Sequence, residues 1–218
     1  MRILITGGAG FIGSHVVDAC ADAGHQVLVV DDLSSGSRAN VREGIDLVEL
    51  DIREAEHLED VIAAFKPDAI SHQAAQVSVS ASVREPQLDA RINVEGTLNV
   101  LESAVRNEVS HVVFASTGGA IYGELVAPEK GRVGRTPVPL SPYACSKLAV
   151  EAYLNFYRHA HGLRSTILRY ANVYGPRQDP HGEAGVVAIF CKRLLAGETI
   201  QINARRDPGD GGCIRDYV

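Results

Sequence analysis

The stretch from the N-terminus to Gly13 constrains the fold more than any other part of the chain. An apolar run at residues 3–5 predicts a buried strand, and residues 11–23 predict a helix. Between the strand and the first turn of the helix, glycines recur at every third position: Gly7, Gly10 and Gly13. Such a turn lets backbone N–H groups approach a pyrophosphate at the positive end of the helix, and lets the helix pack closely on the strand. The motif favours a dinucleotide site, and the alternative is a glycine turn without a ligand.

Composition and charge exclude several classes of protein. Of the 218 residues 45% are apolar, which is enough for a sizeable core and excludes an intrinsically disordered chain. The net charge of -6 disfavours a nucleic-acid partner, because phosphate binding usually requires a basic surface. No apolar run approaches the ~18 residues that a membrane helix needs, and the first residues lack the pattern of a signal peptide, so we expect none. We therefore expect a soluble cytoplasmic protein that binds neither nucleic acid nor a membrane.

Cysteines and histidines do not suggest a metal site. The four cysteines are irregularly spaced and include no C-x-x-C pair, which predicts free thiols rather than a zinc site or a disulfide framework. His159, His161 and His181 have no matching cysteine or carboxylate cluster, so we expect them to be surface residues and expect no metal.

Apolar runs alternate with helical segments as far as about residue 170, which is the pattern of βαβ units in a parallel sheet. Strands are predicted at residues 3–5, 26–30, 47–50, 69–72, 111–115 and 164–169. Helices are predicted at residues 11–23, 55–65, 86–107, 143–161 and 183–196. The predicted fold is α/β: a doubly wound, Rossmann-type parallel sheet over residues 1–170, followed by the beginning of a smaller C-terminal lobe over residues 171–218.

Carboxylates follow the second and third predicted strands. Asp31 ends the second strand, where an acid can bind the ribose hydroxyls of an adenosine. Asp32 adds a second negative charge that would repel the 2′-phosphate of NADP, so the pair favours NAD. Asp51 and Ile52 follow the third strand and are placed to contact the adenine, with a strand-end cap as the alternative.

Tyr143 and Lys147 form a Tyr-x-x-x-Lys pair near the start of a predicted helix. Their i, i+4 spacing places both side chains on one face of that helix. A tyrosine with an ordinary pKa near ~10 is a poor base at neutral pH, but a lysine ammonium and a positively charged nicotinamide would both lower that pKa. The pair therefore predicts a tyrosine that acts as acid and base beside NAD, and the alternative is a surface pair on a helix.

A hydroxyl on the loop after the fifth predicted strand is the expected third member of this site. Ser116 and Thr117 are both candidates, because either can hydrogen-bond a reacting hydroxyl group and share its proton with Tyr143. The alternative is that these hydroxyls only cap backbone groups.

Together these motifs resemble the extended short-chain dehydrogenase/reductase family, and within it the NAD-dependent sugar-nucleotide epimerases and dehydratases. The matching motifs stand at residues 6–13, 31–33, 51–52, 72–76, 93–97, 116–123, 141–147, 168–177 and 215–217. The resemblance implies tightly bound NAD and epimerisation at C4 of a UDP-hexose, UDP-glucose or UDP-galactose, through a 4-keto intermediate. Gly118 and Gly119 stand where the 4,6-dehydratases of the family carry acidic residues, which disfavours dehydration. The alternatives are a UDP-N-acetylhexosamine 4-epimerase, an L-threonine dehydrogenase and an NAD-binding protein without catalysis.

The resemblance also implies a role for each matching residue. The implied catalytic residues are Tyr143, Lys147 and either Ser116 or Thr117; the choice stays open because this loop is one residue longer than in many relatives. The implied cofactor contacts are Gly7, Gly10, Phe11, Ile12, Gly13, Asp31, Asp32, Asp51, Ile52, Ala74, Ala75, Gln76, Asn93, Tyr143, Lys147, Tyr170 and Val173. The implied substrate contacts are Gln76, Ser116, Thr117, Tyr143, Asn172, Val187 and Arg215, the last as a clamp on the diphosphate.

Two further expectations follow from the resemblance. Chains of this family continue beyond the position of Val218, so the sequence is expected to be a C-terminally incomplete piece of a longer enzyme. The family also implies a homodimer that pairs the helices predicted at residues 86–107 and 143–161.

Overall fold

Six parallel strands form one sheet in the computed structural model, which describes residues 1–125, 129–180 and 185–200. The strands are β1 (Arg2–Thr6), β2 (Gln26–Asp31), β3 (Asp46–Glu49), β4 (Ala69–His72), β5 (His111–Thr117) and β6 (Arg164–Tyr170). Their order in the sheet is β3-β2-β1-β4-β5-β6, so the winding reverses between β1 and β4. The predicted α/β class and the doubly wound sheet are confirmed.

Helices pack on both faces of the sheet. They are α1 (Phe11–Asp22), α2 (Ala55–Phe65), α3 (Val79–Arg84), α4 (Pro86–Ala90), α5 (Gly96–Arg106), α6 (Pro142–His161) and α7 (Val186–Leu195). The larger apolar cluster unites Leu4, Ile70 and Phe114 of the strands with Leu101 of α5 and Leu154 of α6. A smaller cluster between β1, β2 and α1 covers the opposite face. Within the described residues, no helix is both long and apolar enough to cross a lipid bilayer.

Most predicted element bounds agree with the structure to within about two residues, but the predicted helix at residues 86–107 is interrupted. A π-helical turn at Arg91–Glu95 separates α4 from α5. The hydroxyl of Thr97, at the start of α5, donates to the carbonyl oxygen of Asn93 in this turn at 2.6 Å, a side-chain bond that competes with the regular helical ladder. Turns of this kind often occur at functional sites. The sequence analysis also missed α3 and a 3₁₀ turn at Arg38–Asn40, which are too short to show a periodic pattern.

Local signals at the N-terminus of α6 fix where this helix begins. Ser141 is the N-cap, and its hydroxyl accepts the N–H of Ala144 at 3.2 Å. Pro142 occupies the first turn, where its missing N–H leaves no helical bond unmade. These two residues place Tyr143 and Lys147 in the first two turns of the helix.

The turn between β1 and α1 requires glycine because the surrounding backbone leaves no room for a side chain. A Cβ at Gly7 would lie 2.5 Å from the nitrogen of Ala74, and Gly7 has a positive φ of 69°. A Cβ at Gly13 would overlap the carbonyl oxygen of Gly7. The close packing of α1 on the turn therefore depends on both glycines.

Replacing Gly13 by alanine is expected to destabilise the fold by about 1–3 kcal/mol, because the added methyl group must push α1 away from the turn. Urea titration measures the free energy of unfolding. Gly134→Ala is the matched control, since a Cβ at Gly134 meets nothing within 4 Å; its free energy of unfolding should change by less than about 0.5 kcal/mol. Equal stability of the two variants would contradict the packing argument.

Candidate active site

The C-terminal ends of the strands meet at one edge of the sheet, and the winding reverses there between β1 and β4. In doubly wound folds, ligands bind in the crevice at this point. The glycine turn follows β1, Asp31 ends β2, Thr117 ends β5 and Tyr143 lies at the start of α6. The fold therefore brings the main residues predicted from the sequence to one edge.

Asp31 ties the glycine turn to the end of β2. Its two carboxylate oxygens accept the N–H groups of Leu33 and Ala9, both at 2.9 Å. Burial raises the pKa of the Asp31 carboxyl, and these two hydrogen bonds oppose the increase. A carboxylate beside the free N–H groups of a helix start is the donor and acceptor set that adenosine diphosphate requires, so the residues present fit a dinucleotide.

Three residues predicted to contact the cofactor also make contacts within the protein: Asp32, Asp51 and Ile52. Oδ1 of Asp32 accepts a backbone N–H and a hydroxyl from the turn that follows β2. Asp51 pairs with Arg53, whose Nε lies 2.9 Å from Oδ2, and the hydrogen bonds from this arginine lower the pKa of Asp51. The side chain of Ile52 packs in the core against Gly96, which leaves its backbone as the part that can face a ligand.

Tyr143 and Lys147 lie together at the start of α6. The Nζ atom of Lys147 is 5.9 Å from the centre of the Tyr143 ring. It donates to the carbonyl oxygen of Ala115 at 2.9 Å and lies 4.8 Å from the centre of the Phe114 ring. The lysine is thus held at the end of β5 by a backbone hydrogen bond and an aromatic ring, with its Nζ atom near the ring of the tyrosine.

Burial moves the pKa values of these two groups in opposite directions. It raises the pKa of Tyr143 to about 12, assisted by the charge of Asp89 and opposed by a hydrogen bond with Thr117. It lowers the pKa of Lys147 to about 8, and the charge of Asp89 opposes this decrease. At neutral pH the lysine therefore stays charged, and the phenol keeps its proton until further positive charge approaches.

Ser116 and Thr117 are adjacent in β5, so their side chains point in opposite directions. Thr117 meets the phenol of Tyr143. Ser116 instead donates to Oε1 of Glu151 at 2.5 Å, further along α6, where Glu151 also pairs with Arg169. Of the two candidates that the sequence left open, the structure brings Thr117 to Tyr143 and places Ser116 in a separate buried ion-pair cluster.

A buried histidine connects β1, β4 and the π-helical turn. Nδ1 of His72 lies 2.6 Å from the hydroxyl of Thr6, and its Nε2 lies 2.9 Å from the hydroxyl of Thr97. Because Thr97 donates its one hydroxyl proton to Asn93, it must accept from Nε2–H, and Nδ1 then accepts from Thr6. Burial, with the charge of Lys147 adding to it, lowers the pKa of His72 to about 3, so the ring is neutral.

Gln76 and Asn93 hold each other in place beside this chain of bonds. The side chain of Asn93 accepts the N–H of Gln76 and donates to its carbonyl oxygen, each at 2.9 Å. Both side-chain amides also donate to Asp89, which in turn accepts the hydroxyl of Ser146. Sequence reasoning missed Asp89 and Ser146. The available signal was an acid one helical turn before Asn93 on the same face.

Residues predicted near the nicotinamide follow β4 and β6. Ala74 and Ala75 are half-buried directly after β4. Burial raises the pKa of Tyr170 at the end of β6. Asn172 lies beside Gly119, since a Cβ at that glycine would come within 3.7 Å of the Asn172 side-chain oxygen. These positions bring the ends of β4, β5 and β6 to the same part of the edge.

The remaining predicted contacts are more dispersed. Phe11 and Ile12 of α1 line an apolar groove together with Val173. Val187 is half-buried on α7. Arg215, predicted to clamp a diphosphate, lies outside the described residues.

Side chains that could bind a metal are scattered over the described ranges. No group of three or more histidine, cysteine or acidic side chains in those ranges is arranged to hold a metal ion. His181 lies outside them. Cys20, Cys145 and Cys191 are free thiols.

Comparison with known proteins adds information that the geometry alone does not give. A sequence model of the NAD dependent epimerase/dehydratase family matches residues 3–218. The UDP-glucose 4-epimerase of Mycolicibacterium smegmatis is 48% identical over an alignment that covers 100% of this chain and 69% of that protein. The crystal structure of Thermus thermophilus UDP-glucose 4-epimerase in complex with NAD is 52% identical with a TM-score of 0.96, covering 100% of this chain and 70% of that one. The Thermotoga maritima UDP-glucose 4-epimerase with UDP-glucose is 50% identical with a TM-score of 0.94, covering 100% and 69%.

Replacing His72 by glutamine is expected to flatten the dependence of stability on pH. The glutamine amide can donate and accept as the neutral imidazole does, but it does not titrate. In the wild type the unfolded chain protonates His72 near pH ~6.5, whereas the folded chain resists protonation down to about pH 3. The unfolding free energy therefore falls as the pH is lowered through this window, by up to about 1.4 kcal/mol per pH unit.

Urea unfolding of both proteins between about pH 7 and pH 4 measures this effect, because subtracting the two curves cancels the other titrating groups. His159→Gln, at an exposed position near the end of α6, should keep the wild-type slope. Parallel curves for the wild type and His72→Gln would show that His72 is not a buried neutral histidine.

Proposed function

The chain belongs to the NAD-dependent epimerase/dehydratase family, and on that premise we propose that it interconverts UDP-glucose and UDP-galactose by inverting the sugar at C4. One observation carries the proposal: Tyr143, Lys147 and Thr117 meet at the strand edge that also holds the glycine turn and Asp31. The relatives compared above are UDP-glucose 4-epimerases, one of them with NAD and another with UDP-glucose. We therefore assign NAD as the cofactor and a UDP-sugar as the substrate.

The glycine turn and the acids after β2 and β3 would hold the adenosine half of NAD. N–H groups around Gly10 at the start of α1 would face the pyrophosphate. Asp31 would accept the hydroxyls of the adenosine ribose, and Asp32 would add repulsion against the 2′-phosphate of NADP. Asp51 and the backbone of Ile52 would contact the adenine.

The residues after β4 and β6 would hold the nicotinamide half of NAD. Ala74 and Ala75 would line it from one side, Tyr170 and Val173 from the other, and Lys147 would hold its ribose. When bound, NAD supplies the reversible removal of hydride from C4 of the sugar. The protein supplies orientation and the movement of one proton.

Tyr143 is the group that takes the proton of the sugar 4-hydroxyl and later returns it to the product. For this the pKa of Tyr143, about 12 in the absence of ligands, must fall toward neutrality. Lys147 is mostly ammonium at neutral pH, because its pKa is about 8, and it stabilises the phenolate. Thr117 hydrogen-bonds Tyr143 and is placed to share the proton between the phenol and the 4-hydroxyl.

Gly118 and Gly119 restrict the type of reaction. Removing water from the sugar would require an acidic side chain here, and neither residue has one. A Cβ at Gly118 would lie 2.9 Å from the carbonyl oxygen of Arg169, so the backbone of β6 leaves no space for a side chain. This packing supports epimerisation rather than dehydration.

The UDP-sugar would be held by residues around the same edge. Asn172 and Gln76 would hydrogen-bond the substrate, and Val187 of α7 would lie near the uracil. Arg215 would clamp the diphosphate with its planar guanidinium group.

We also propose that the protein is a cytoplasmic homodimer. Tyr153 and Phe156 of α6, one of the two helices expected to pair, are 41% and 53% exposed, and Val79 and Val83 of α3, which precedes the other expected helix, are 41% and 63% exposed. An apolar surface shared by neighbouring helices suits pairing with a second copy of the chain. The free thiols among the described cysteines suit a reducing compartment.

Tyr143→Phe is expected to lower kcat for epimerisation of UDP-galactose by about 10²–10⁴-fold, because the proton acceptor is lost. A coupled assay for UDP-glucose measures the rate, and nucleotide released on denaturation measures the NAD content, which should not change. Tyr153→Phe, at an exposed position on the same helix, should keep the wild-type rate. An active Tyr143→Phe enzyme would refute the proposed role.

Separate product assays test the substrate. UDP-N-acetylgalactosamine and L-threonine are offered in parallel with UDP-galactose to the wild-type protein. If either alternative is turned over faster than UDP-galactose, it becomes the proposed substrate instead. If the protein retains NAD but turns over none of the three, binding without catalysis is favoured.

Thr117→Val is expected to reduce kcat by about 10–100-fold with NAD still bound, because the hydroxyl that shares the proton is lost. Ser116→Ala removes only the bond to Glu151, so we expect lower stability but a kcat close to that of the wild type. Steady-state kinetics and thermal unfolding of the two variants measure both effects. The reverse pattern would make Ser116 the catalytic hydroxyl.

A further inference from the structure

Asp89 is a buried carboxylate beside the proposed catalytic pair. It lies in α4 and is only 1% exposed. None of the ion pairs in the described part of the chain includes it. A buried acid without a paired cation is unfavourable unless hydrogen bonds or a nearby charge stabilise it.

Three side chains donate to Asp89. Nε2 of Gln76 and Nδ2 of Asn93 donate to its Oδ1 at 2.8 and 3.0 Å, and the hydroxyl of Ser146 donates to its Oδ2 at 2.5 Å. The orientation of both amides is fixed, since their oxygens accept the backbone N–H groups of Ser78 and Gln76. Oδ1 therefore receives two N–H groups and Oδ2 receives a hydroxyl, so all three contacts suit the acceptor oxygens of a carboxylate.

The titratable groups around this carboxylate come from two elements. From α6, Lys147 and Tyr143 are close enough for the charge of Asp89 to raise the pKa of each. From β4, His72 is neutral and contributes no charge. Among the described residues, Asp89 is the one carboxylate whose charge acts on Lys147.

We propose that Asp89 is a positioning residue of the active site: it is the fixed counter-charge of Lys147, and its bond to Ser146 joins α4 to the helix that carries Tyr143 and Lys147. The carboxylate holds Lys147 in its ammonium form inside an apolar surrounding. Its charge also opposes ionisation of Tyr143, so the phenol keeps its proton until further positive charge approaches. The inference rests on the proposed function only for the part that concerns turnover.

Asp89→Asn tests the charge while keeping the shape. The amide oxygen can still accept from Gln76 and Asn93, and its NH₂ group can donate to the oxygen of Ser146, whose own proton can turn to a carbonyl of its helix. With the negative charge gone, the ammonium form of Lys147 is less favoured, so its pKa falls. Tyr143 ionises more easily, so its pKa falls as well.

The pKa of Lys147 is measured without turnover. The chain has four lysines, so ¹³C-lysine labelling gives a simple spectrum, and the signal missing in Lys147→Arg identifies Lys147. Titration of the NAD-bound protein should show the pKa of Lys147 in Asp89→Asn lower by about half a pH unit or more. Asp89→Ser removes the same charge and carries the same prediction if Asp89→Asn does not fold.

Two controls separate charge from structure. Ser146→Ala removes the bond to α6 but keeps the carboxylate, and Glu95→Gln removes an exposed charge from the adjoining π-helical turn. Glu95→Gln should leave the pKa of Lys147 where it is in the wild type, and Ser146→Ala, which keeps the charge, should lower it less than Asp89→Asn does. A pKa of Lys147 that is unchanged in Asp89→Asn, or lowered equally in Ser146→Ala, would overturn the proposal.

The pH dependence of kcat links the inference to function. Both limbs of the profile should move to lower pH in Asp89→Asn, because the tyrosine ionises earlier and the lysine loses its proton earlier. A drop in kcat without this movement would show a merely structural role. If the wild type turns over none of the substrates, the proposed function fails, yet the titration of Lys147 still decides the role of Asp89.

Discussion

The neutral imidazole of His72 is the contact on which the rest of the site depends. The ring, which lies on β4, accepts from Thr6 at the end of β1 and donates to Thr97 of α5. It therefore links α5 to β1 and β4, the two strands between which the winding of the sheet reverses. The hydroxyl of Thr97 in turn donates to the carbonyl oxygen of Asn93, which lies in the π-helical turn. A charged ring would lose its acceptor nitrogen and break this series of hydrogen bonds. Burial prevents that by lowering the pKa of His72 to about 3.

Burial alone does not give Tyr143 and Lys147 the pKa values that the proposed chemistry requires. In the ligand-free protein the pKa of Lys147, about 8, lies below that of Tyr143, about 12. Raising the pH would therefore remove the proton of the lysine before that of the tyrosine, and the phenolate beside an ammonium would not form. A further positive charge next to the phenol is required, and a bound oxidised nicotinamide carries one. The site is thus expected to acquire its base only when the cofactor is in place.

The sequence predicts the elements but not every side-chain direction. Apolar runs and glycine spacing locate β1, α1 and the Tyr-x-x-x-Lys helix, because these signals depend on local periodicity. The choice between Ser116 and Thr117 depends on where β5 ends, and the strand runs to Thr117 rather than to residue 115. The π-helical turn and the burial of Asp89 depend on hydrogen bonds from distant segments, and an acid on a helix otherwise indicates a solvent-facing position.

The buried cluster around Ser116 fixes both ends of the loop after β5, which carries the proposed catalytic hydroxyl of Thr117. Arg169 of β6 donates from Nε to Glu151 at 2.9 Å and from Nη1 to the hydroxyl of Tyr122 at 2.8 Å, while Ser116 donates to the same Glu151. Both ends of the segment from Ser116 to Tyr122 are therefore fixed to β6 and α6. Thr117 and Gly118 lie between these fixed points, so buried charges outside the proposed catalytic group set the position of the hydroxyl proposed to react.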